Sequence, residues 1–483
     1  MKQTDRSTNH SASSSGRNGS FRSAGDPWKK KYVLTLDGGG VRGLSTLFII
    51  RDLMLLCNSF EQGSGPEVKS SYHPFPFQDG QGSNANSKNS GSAQFLPVHY
   101  FDYIAGTSTG GLIAIMLSRF RMSIDDCIQE YEELADKIFG QPRKFSMLGP
   151  IPWNREKYNH HKLEDVIKDV IKDVIKRRIW KEDQFEDPIY ASSSDGCRTI
   201  VFSVRENNFA DAPYLFRTYE HTKSPVDNPQ ELNPGPPQKI PIWKVARATT
   251  AAPTYFKPIK INGERFIDSG FGYNNPTQKT FFEVEQVHGE GTIALALSIG
   301  TGQRTKVQPM AGQKSGLICK FLQIIKYATA KTTDSEGIHD GLKGLLPRGR
   351  CSYERFNVDG GLGDMDLGEW RVDSKEKTTL NTIRDQTLSY LKQPKVRERM
   401  KQVAKMLVKN RQERTDTDRW EIVATGCRYQ CPEQCDKETM FTRKDDLRMH
   451  LCEVHGFSSA PSDYDEGSKL EKAIEKGTIL RAD

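Results

Sequence analysis

The pentapeptide Gly-Thr-Ser-Thr-Gly at residues 106–110 is the feature that most constrains the fold. An apolar run at 98–105 predicts a strand before it, and a second at 112–117 predicts a helix after it. A serine between two glycines at such a turn is typical of a nucleophile elbow, because glycine permits a strained backbone and close contact of strand and helix. Ser108 is therefore the candidate nucleophile, and an ordinary loop rich in small residues is the alternative.

A glycine-rich segment, Asp-Gly-Gly-Gly-Val-Arg-Gly at 37–43, follows the first predicted strand. Glycine lets backbone N–H groups approach a substrate without side-chain interference, so this segment is the candidate oxyanion loop. Arg42 would lie at the mouth of the loop, where it would orient the loop or bind an anionic head group. The candidate N–H donors are Gly38, Gly39 and Gly40.

The same loop also matches the G-x-G-x-x-G spacing of a dinucleotide-binding site, at Gly38, Gly40 and Gly43. That interpretation requires an acidic residue about twenty positions further on, and no clear candidate stands there. It also leaves Ser108 and Asp268 without a role.

A base for Ser108 is harder to find, since no histidine stands in a recognisable partner context. A short predicted strand enters Asp268 at 265–267. The sequence therefore favours a Ser–Asp dyad, in which Asp268 accepts the Ser108 proton and burial tunes its pKa.

Alternating strands and helices predict an α/β domain with a mostly parallel sheet. A Ser-rich polar composition predicts disorder at the N-terminus, and a Gly/Ser/Asn-rich stretch before the elbow predicts a low-complexity insertion. The predicted parts are a disordered tail at 1–28, a hydrolase domain at 29–395 with an insertion at 61–94, a basic helical linker at 396–420, a cysteine-histidine module at 421–457 and a tail at 458–483.

Composition restricts the cellular compartment in which we expect the protein. No apolar run is long enough to span a bilayer, and the polar N-terminus does not resemble a secretory signal. Nine cysteines without a disulfide pattern predict a reducing compartment, so we expect an intracellular protein, cytoplasmic or peripheral at a membrane. The net charge of +7 is compatible with an anionic membrane or nucleic acid and requires neither.

Several motifs in a fixed order resemble the patatin-like phospholipase family over about residues 29–395. They are the glycine loop at 37–43, the elbow at 106–111, Ala-Thr-Thr-Ala-Ala-Pro-Thr-Tyr-Phe at 248–256, Asp-Ser-Gly at 268–270, Asn-Asn-Pro at 274–276, Ser-Ile-Gly-Thr-Gly at 298–302 and Tyr-Glu-Arg-Phe-Asn at 353–357.

This resemblance implies a three-layer α/β/α fold and hydrolysis of lipid acyl esters by a Ser–Asp dyad, without a cofactor for hydrolysis. It assigns the nucleophile to Ser108, the base to Asp268 and the oxyanion loop to Gly38, Gly39 and Gly40. The implied substrate is a membrane phospholipid or lysophospholipid, with peripheral membrane contact. The family commonly has glycine where this chain has Ser269. If this position needs a positive φ, the serine would be strained; alternatively, its hydroxyl would hydrogen-bond the Asp268 carboxylate.

The C-terminal module resembles a Cys-Cys-His-His zinc finger of ββα form. Two cysteines on a turn and two histidines on a helix have the ligand chemistry of a structural zinc site. The predicted ligands are Cys431, Cys435, His450 and His455. A protein partner or nucleic acid would bind this finger, with Arg443, Asp446 and Met449 at the base-reading positions.

Three functional hypotheses remain at this point. The first is a lipid acyl hydrolase with a zinc-finger appendage. The second is a patatin-like scaffold that binds nucleic acid or protein through the finger and has lost hydrolysis. The third is a nucleotide-dependent enzyme that uses the glycine loop, which a nucleotide-dependent thermal shift would support.

Overall fold

The structure, a computed structural model, describes most of the chain in separate segments. The described residues are 25–63, 95–140, 142, 156–178, 187–192, 196–208, 212–222, 232–270, 272–304, 335–346, 350–372, 378–433, 435, 440–457 and 464–480. The predicted disordered tail at 1–28 and insertion at 61–94 lie almost wholly outside these residues. Trp28, at the inner end of that tail, is buried and donates from its indole N–H to Thr417 Oγ1 at 2.9 Å, so the folded domain begins before residue 29.

An eight-stranded sheet forms the centre of the domain. Its strands are β1 Lys31–Leu36, β2 Tyr103–Thr107, β3 Arg198–Arg205, β4 Tyr214–Arg217, β5 Ile259–Ile261, β6 Glu264–Asp268, β7 Ile293–Ile299 and β8 Ser352–Phe356. The order is β5-β6-β3-β2-β1-β7-β8, and β4 pairs with β3 beside β6. Strands β3, β2, β1, β7 and β8 are parallel, whereas β4, β5 and β6 are antiparallel to the strands they pair with.

The central strands are covered on both faces. Every residue of β1 and β2 is buried, which is the pattern of parallel strands between two helical layers. The flanking helices are α1 Gly43–Gly63, α2 Thr109–Ala114, α3 Ile124–Phe139, α4 His160–Arg178, α5 Ile242–Thr249, α6 Thr277–His288, α7 Ser335–Leu345, α8 Thr379–Leu391, α9 Pro394–Thr415 and α10 Asp418–Thr425. This arrangement confirms the predicted α/β/α sandwich with a mostly parallel sheet.

The predicted strand before the elbow is wrong in its first half. Pro97 begins a 3-10 turn, Pro97–His99, because its ring fixes φ near the helical value and it donates no N–H to a sheet. The strand β2 begins only at Tyr103. The helix after the elbow begins at Thr109 and continues as a π-helical turn over Ile115–Arg119.

The basic helix predicted to be a linker at 396–420 is part of the domain, which corrects that prediction. Helix α9 packs along α1 and buries Val403 and Leu407 in the main core. Trp420 on the next helix, α10, is fully buried in the same core. A stripe of apolar residues therefore determines where this helix packs, and the mostly basic composition of the helix obscures that stripe in the sequence.

The arginines of α9 are neutralised within the domain. Arg411 Nη2 lies 2.5 Å from Glu61 Oε2, and Arg414 Nη2 lies 2.9 Å from Asp102 Oδ2. Both guanidinium groups are almost completely buried. The positive charge of this helix is thus balanced by acidic residues more than 300 positions earlier in the sequence.

The C-terminal unit contains more than the predicted finger. Its elements are β9 Cys427–Gln430, β10 Met440–Phe441, α11 Lys444–His455, α12 Tyr464–Gly477 and β11 Thr478–Leu480. The first three have the predicted ββα form. The predicted tail at 458–483 is corrected over 464–480, since β11 pairs antiparallel with β9 and α12 adds Leu470 and Ile474 to the core of the unit.

Helix α10 joins the C-terminal unit to the main domain. Glu421 on this helix is buried, and its Oε1 accepts hydrogen bonds from Tyr429 OH and from the backbone N–H of Lys444, each at 2.9 Å. The predicted module at 421–457 therefore begins inside a helix whose other face, at Trp420, belongs to the main core.

The packing of α9 predicts a large effect of Arg411→Leu on stability. Removing Arg411 leaves the buried Glu61 charge without its cation, so we expect the free energy of unfolding to fall by about 3–5 kcal/mol. Lys409→Ala on the same helix is the control, because the Lys409 side chain is 80% exposed and should change stability by less than about 0.5 kcal/mol. Urea unfolding followed by circular dichroism measures both. Equal, small effects would mean that α9 is a linker after all.

Candidate active site

Ser108 lies at the sharp turn between β2 and α2, with φ 55° and ψ −129°. A positive φ is unfavourable for a residue with a side chain, so the surroundings must hold this turn. Thr249 does so: its Oγ1 accepts the Ser108 N–H at 2.8 Å and donates to Phe202 O at 2.7 Å. The pentapeptide therefore has the geometry of a nucleophile elbow, with a strained serine ahead of a helix.

Two glycines allow α2 to approach the sheet. A Cβ on Gly106 would lie 2.1 Å from Gly110 O, and a Cβ on Gly110 would lie 2.4 Å from Leu36 O. Any side chain at either position would push the helix away from β1 and β2. The space around the serine is thus set by backbone packed directly on backbone.

The register of the sheet places Asp268 beside Ser108. Thr107 at the end of β2 pairs with Phe202 on β3, and the next residue of β3, Ser203, pairs with Asp268 at the end of β6. The serine and the aspartate are therefore level with each other, with one strand between their strands. Ser108 Oγ donates to Asp268 Oδ2 at 2.5 Å.

The Asp268 carboxyl group is 3% exposed. Burial raises the pKa of Asp268 to about 7, and the hydrogen bonds from Ser108 and from Gly270 N–H, the latter at 2.7 Å, offset this only in part. Both of these partners are neutral donors. A carboxylate with a pKa near 7 has the basicity that a general base needs at neutral pH.

Ser269 has neither of the two properties considered from sequence. Its φ is not positive, so serine is not strained there. Its hydroxyl is buried and has no hydrogen-bond partner among the described residues, so it does not contact the Asp268 carboxylate. Neither backbone strain nor a hydrogen bond from the Ser269 hydroxyl therefore acts on the carboxylate.

The glycine loop lies directly against the elbow. A Cβ on Gly38 would lie 2.8 Å from Ser108 Cβ, and the Gly38 N–H already donates to Asn274 O at 3.3 Å. The Gly39 N–H points to the elbow, where it makes a long 3.3 Å bond to Thr109 Oγ1. Gly40 has φ 55° and lies so close to Leu367 O that no side chain fits. The three predicted donors thus differ, since Gly38 already donates to backbone.

Arg42 is buried and bonds to backbone instead of facing the solvent. Its Nε donates to Gly39 O at 3.1 Å, and its Nη1 donates to Gly363 O. Burial lowers the pKa of Arg42 to about 10. Of the two roles considered for this residue, its contacts support orientation of the loop and not capture of an anionic head group.

The loop is anchored from behind by a buried ion pair that the sequence did not reveal. Arg355 Nη2 lies 2.8 Å from Asp37 Oδ2, and Arg355 Nη1 donates to Ser298 Oγ at 2.7 Å. Glu336 on α7 also contacts Arg355, at 2.8 Å. The Tyr-Glu-Arg-Phe-Asn motif contains Arg355, but no local pattern indicates its partner 318 residues away.

Three histidines of the domain have partners other than Ser108. His99 lies in the 3-10 turn, where its Nδ1 accepts the Leu96 N–H at 2.9 Å. His221 Nδ1 lies 3.0 Å from Glu283 Oε1, and His288 Nε2 lies 2.8 Å from Tyr103 OH. In the part of the chain that the structure describes, Asp268 is the group that hydrogen-bonds Ser108 Oγ.

The four predicted metal ligands converge in the C-terminal unit. Their ligand atoms all lie within 4.8 Å of one another, with Cys435 Sγ 3.0 Å from His455 Nε2 and 3.3 Å from His450 Nε2. Zinc bonds of roughly 2.0–2.3 Å in a tetrahedron place ligand atoms at comparable separations. Donor type and spacing therefore fit a zinc ion.

Comparison with protein families agrees with this geometry. The family model described as patatin-like phospholipase matches residues 34–281, about half of the chain, which include the glycine loop, Ser108 and Asp268. The chain belongs to the patatin-like phospholipase family.

Patatin-like relatives share low sequence identity with this chain. Calcium-independent phospholipase A2-gamma of Rattus norvegicus is 25% identical over 387 residues, which cover 79% of this chain and 41% of that protein. Phospholipase A I of Arabidopsis thaliana is 25% identical over 384 residues, 70% of this chain and 25% of that protein. The 85/88 kDa calcium-independent phospholipase A2 of Mus musculus is 27% identical over 294 residues, 57% of this chain and 28% of that protein. This patatin-like chain therefore spans between a quarter and about two fifths of their lengths.

Among the described residues of this patatin-like protein, no helix is both long enough and apolar enough to cross a bilayer.

Burial of Asp268 in this patatin-like site predicts a pH-dependent gain in stability for Asp268→Asn. An aspartate in the unfolded chain has a pKa of about 4, and in the folded protein that of Asp268 is about 7. Because folding favours the protonated form of Asp268, protonation of this residue stabilises the folded wild type. This stabilisation is complete below pH ~4 and is lost as the pH rises to about 7. We therefore expect Asp268→Asn to be more stable than wild type at pH 8, by on the order of 4 kcal/mol, with little difference at pH 4.

Thermal unfolding of both proteins across this pH range measures the effect. Asp102→Asn is the matched control, because Asp102 pairs with the Arg414 guanidinium and its replacement should destabilise. A pH-independent difference between wild type and Asp268→Asn would contradict the raised pKa.

Proposed function

We propose that this chain is a lipid acyl hydrolase of phospholipase A or lysophospholipase type, in which Ser108 is the nucleophile and Asp268 the base. The observation that carries the proposal is the 2.5 Å hydrogen bond from a strained elbow serine to a buried carboxylate. Burial raises the pKa of Asp268 to about 7, so the carboxylate is partly ionised at neutral pH, mostly ionised above it, and basic enough to accept the serine proton.

The proposed reaction has two halves. Ser108 Oγ attacks the ester carbonyl carbon while Asp268 accepts the hydroxyl proton, and the carbonyl oxygen becomes an oxyanion. The intermediate collapses to an acyl-serine, and Asp268 returns the proton to the departing alcohol. A water molecule then attacks the acyl-serine, with Asp268 again accepting and returning one proton.

We assign oxyanion stabilisation to the glycine loop, chiefly to the N–H groups of Gly39 and Gly40. The Gly38 N–H already donates to Asn274 O, which reduces its part in this role. This bond and the bond from the Gly39 N–H to Thr109 Oγ1 are equally long, at 3.3 Å, but they differ in direction and acceptor. The Gly39 N–H faces the elbow and donates to the Thr109 hydroxyl, which an oxyanion would replace as a stronger acceptor, whereas the Gly38 N–H is directed at a backbone carbonyl.

Relatives support the substrate class. Those compared above are named phospholipases, two of them calcium-independent phospholipases A2. We propose a membrane phospholipid or lysophospholipid as the substrate here, reached by peripheral contact with the lipid surface. Because the chain spans less than half of each relative, this assignment concerns the patatin-like domain and its chemistry.

For the C-terminal unit we propose a structural zinc ion held by Cys431, Cys435, His450 and His455. The fourfold cysteine and histidine donor set suits Zn²⁺, which would stabilise the small core of the unit.

Charge pairing favours a structural or protein-binding unit over a nucleic-acid reader. Arg443, at a base-reading position, lies 3.4 Å from Asp418. Lys444 and Arg448 both pair with Glu471 on α12. Acidic neighbours thus offset the cations that a phosphate backbone would need.

Substitution of the dyad tests the hydrolase proposal. Ser108→Ala and Asp268→Asn should each reduce hydrolysis of phosphatidylcholine and lysophosphatidylcholine vesicles by at least about 10³-fold, because each removes a group that takes part in bond formation. Ser269→Ala is the control and should retain activity, since its hydroxyl has no hydrogen-bond partner among the described residues. Wild-type kcat/KM should fall about tenfold per pH unit below pH ~7, where Asp268 becomes protonated.

A fluorophosphonate probe separates this proposal from the binding-module alternative. Labelling at Ser108 is expected in wild type and should be absent in Ser108→Ala. Full hydrolysis by either dyad variant would refute the dyad, and an unlabelled, inactive wild type that binds a partner would favour the scaffold.

Metal analysis tests the zinc proposal. We expect about one zinc ion per purified chain and its loss in Cys435→Ser, because three ligands bind more weakly than four. Cys452→Ser is the matched control: Cys452 lies on the same helix as His450 and His455 but outside the ligand cluster, so zinc should stay bound. Zinc retained in Cys435→Ser, or absent from wild type refolded with zinc, would contradict the assignment.

A further inference from the structure

Each carbonyl of the glycine loop accepts a hydrogen bond from a different buried side chain. Thr301 Oγ1, just after β7, donates to Gly38 O at 2.8 Å. Arg42 Nε donates to Gly39 O at 3.1 Å, and Tyr131 OH on α3 donates to Gly40 O at 2.6 Å. We call Thr301, Arg42 and Tyr131 the carbonyl clamp.

The clamp determines where the loop N–H groups point. In a planar trans peptide, the C=O of one residue and the N–H of the next are antiparallel, so fixing one direction fixes the other. The described chain contains no cis peptide bond. The Thr301 bond to Gly38 O thereby sets the direction of the Gly39 N–H, and the Arg42 bond to Gly39 O sets that of the Gly40 N–H.

Tyr131 holds the far end of the loop. Its bond to Gly40 O fixes the Gly40–Val41 peptide, whose N–H donates to Leu367 O at 2.9 Å. Gly40 itself has φ 55°, a conformation that glycine adopts and leaves freely. The tyrosine therefore holds this glycine in one of several conformations that its backbone permits.

Independent contacts support the direction deduced for Gly39. Its N–H donates toward Thr109, the residue after Ser108, while Thr301 lies on the other side. A Cβ on Gly39 would lie 2.3 Å from Thr301 Oγ1, so the threonine packs closely against Gly39 as well as bonding to Gly38 O. Three consecutive glycines would otherwise have wide conformational freedom and present poorly aligned donors.

We propose that Thr301 and Tyr131 are positioning residues of the reaction: with Arg42 between them, they hold the glycine carbonyls so that the Gly39 and Gly40 N–H groups face the oxyanion. This inference rests on the proposed hydrolase function. Thr301 is 4% exposed and Tyr131 is 1% exposed, so neither side chain is available to touch the substrate directly. They act through the loop and not on the ester.

Thr301→Val is the central test, because valine keeps the shape of threonine and removes the hydroxyl donor. We expect kcat to fall roughly 10- to 100-fold, with KM within about twofold of wild type, since the N–H groups matter most when charge develops on the oxygen. The inhibition constant of a trifluoromethyl ketone substrate analogue, whose hemiketal oxygen mimics the oxyanion, should rise by the same factor as kcat/KM falls. Thr301→Ser keeps the donor and should restore most of kcat.

Tyr131→Phe provides a second variant should Thr301→Val fail to fold. Because Tyr131 fixes the peptide after Gly40 and acts on the Gly40 N–H only through the conformation of Gly40, this variant should show a smaller loss of kcat, of at least about threefold, with KM preserved. The melting temperature of each variant is measured alongside, so that a loss of structure is recognised. Wild-type kcat in a folded Thr301→Val or Tyr131→Phe, or equal impairment of Thr301→Ser and Thr301→Val, would overturn the clamp. Failure of the proposed function looks different, because then either the wild type would be inactive and unlabelled by the fluorophosphonate probe, or Ser108→Ala would retain hydrolysis whatever the clamp variants do.

Discussion

The site depends on one steric constraint, the direct contact between the start of α2 and the ends of β1 and β2. Gly106 and Gly110 leave room for backbone alone, with a Cβ on either placed 2.1–2.4 Å from a carbonyl oxygen. The turn between them must therefore be tight, and Ser108 takes a positive φ as a result. A looser turn would move the serine away from the glycine loop and from the strand that brings the aspartate level with it.

The second determinant is the contrast between two buried aspartates at strand ends. Asp37 follows β1 and faces the guanidinium of Arg355 at 2.8 Å, so it serves to anchor the loop. Asp268 ends β6 with two neutral donors, an alcohol and a backbone amide. Burial raises the pKa of both carboxyl groups, and at Asp37 the Arg355 guanidinium offsets this in part. At Asp268 two neutral donors offset it in part and the pKa rises to about 7, which destabilises the fold near neutral pH and gives the basicity that the proposed mechanism uses. The same residue type thus has a structural role at one strand end and a proposed chemical role at the other.

The C-terminal helices extend this domain. Helix α9 completes the core beside α1, and its arginines neutralise Glu61 and Asp102. Helix α10 then places Trp420 in that core and Glu421 against the C-terminal unit. A unit with its own cluster of cysteine and histidine side chains is in this way tied to the main domain by a short shared helix.

Local patterns were sufficient for the fold class, the elbow and the identity of the dyad candidates, because turn chemistry, apolar runs and ordered motifs are written in neighbouring residues. The disordered tail and the insertion before the elbow stay predictions, as do the zinc ligands and the proposed roles of the site residues. Tertiary structure decided what depends on distant partners: the place of α9, the burial of Arg42, the strand β11 and the Thr301 and Tyr131 bonds to the loop. Arg414 pairs with Asp102, and Arg355 pairs with Asp37, although the partners are more than 300 residues apart in sequence. No local spacing of residues predicts such an ion pair. The sequence by itself determined which chemically functional side chains this protein carries. Only the packed sheet decided the register, the burial and the partners of those side chains, because these depend on segments that are distant in sequence and exclude water when they pack against one another.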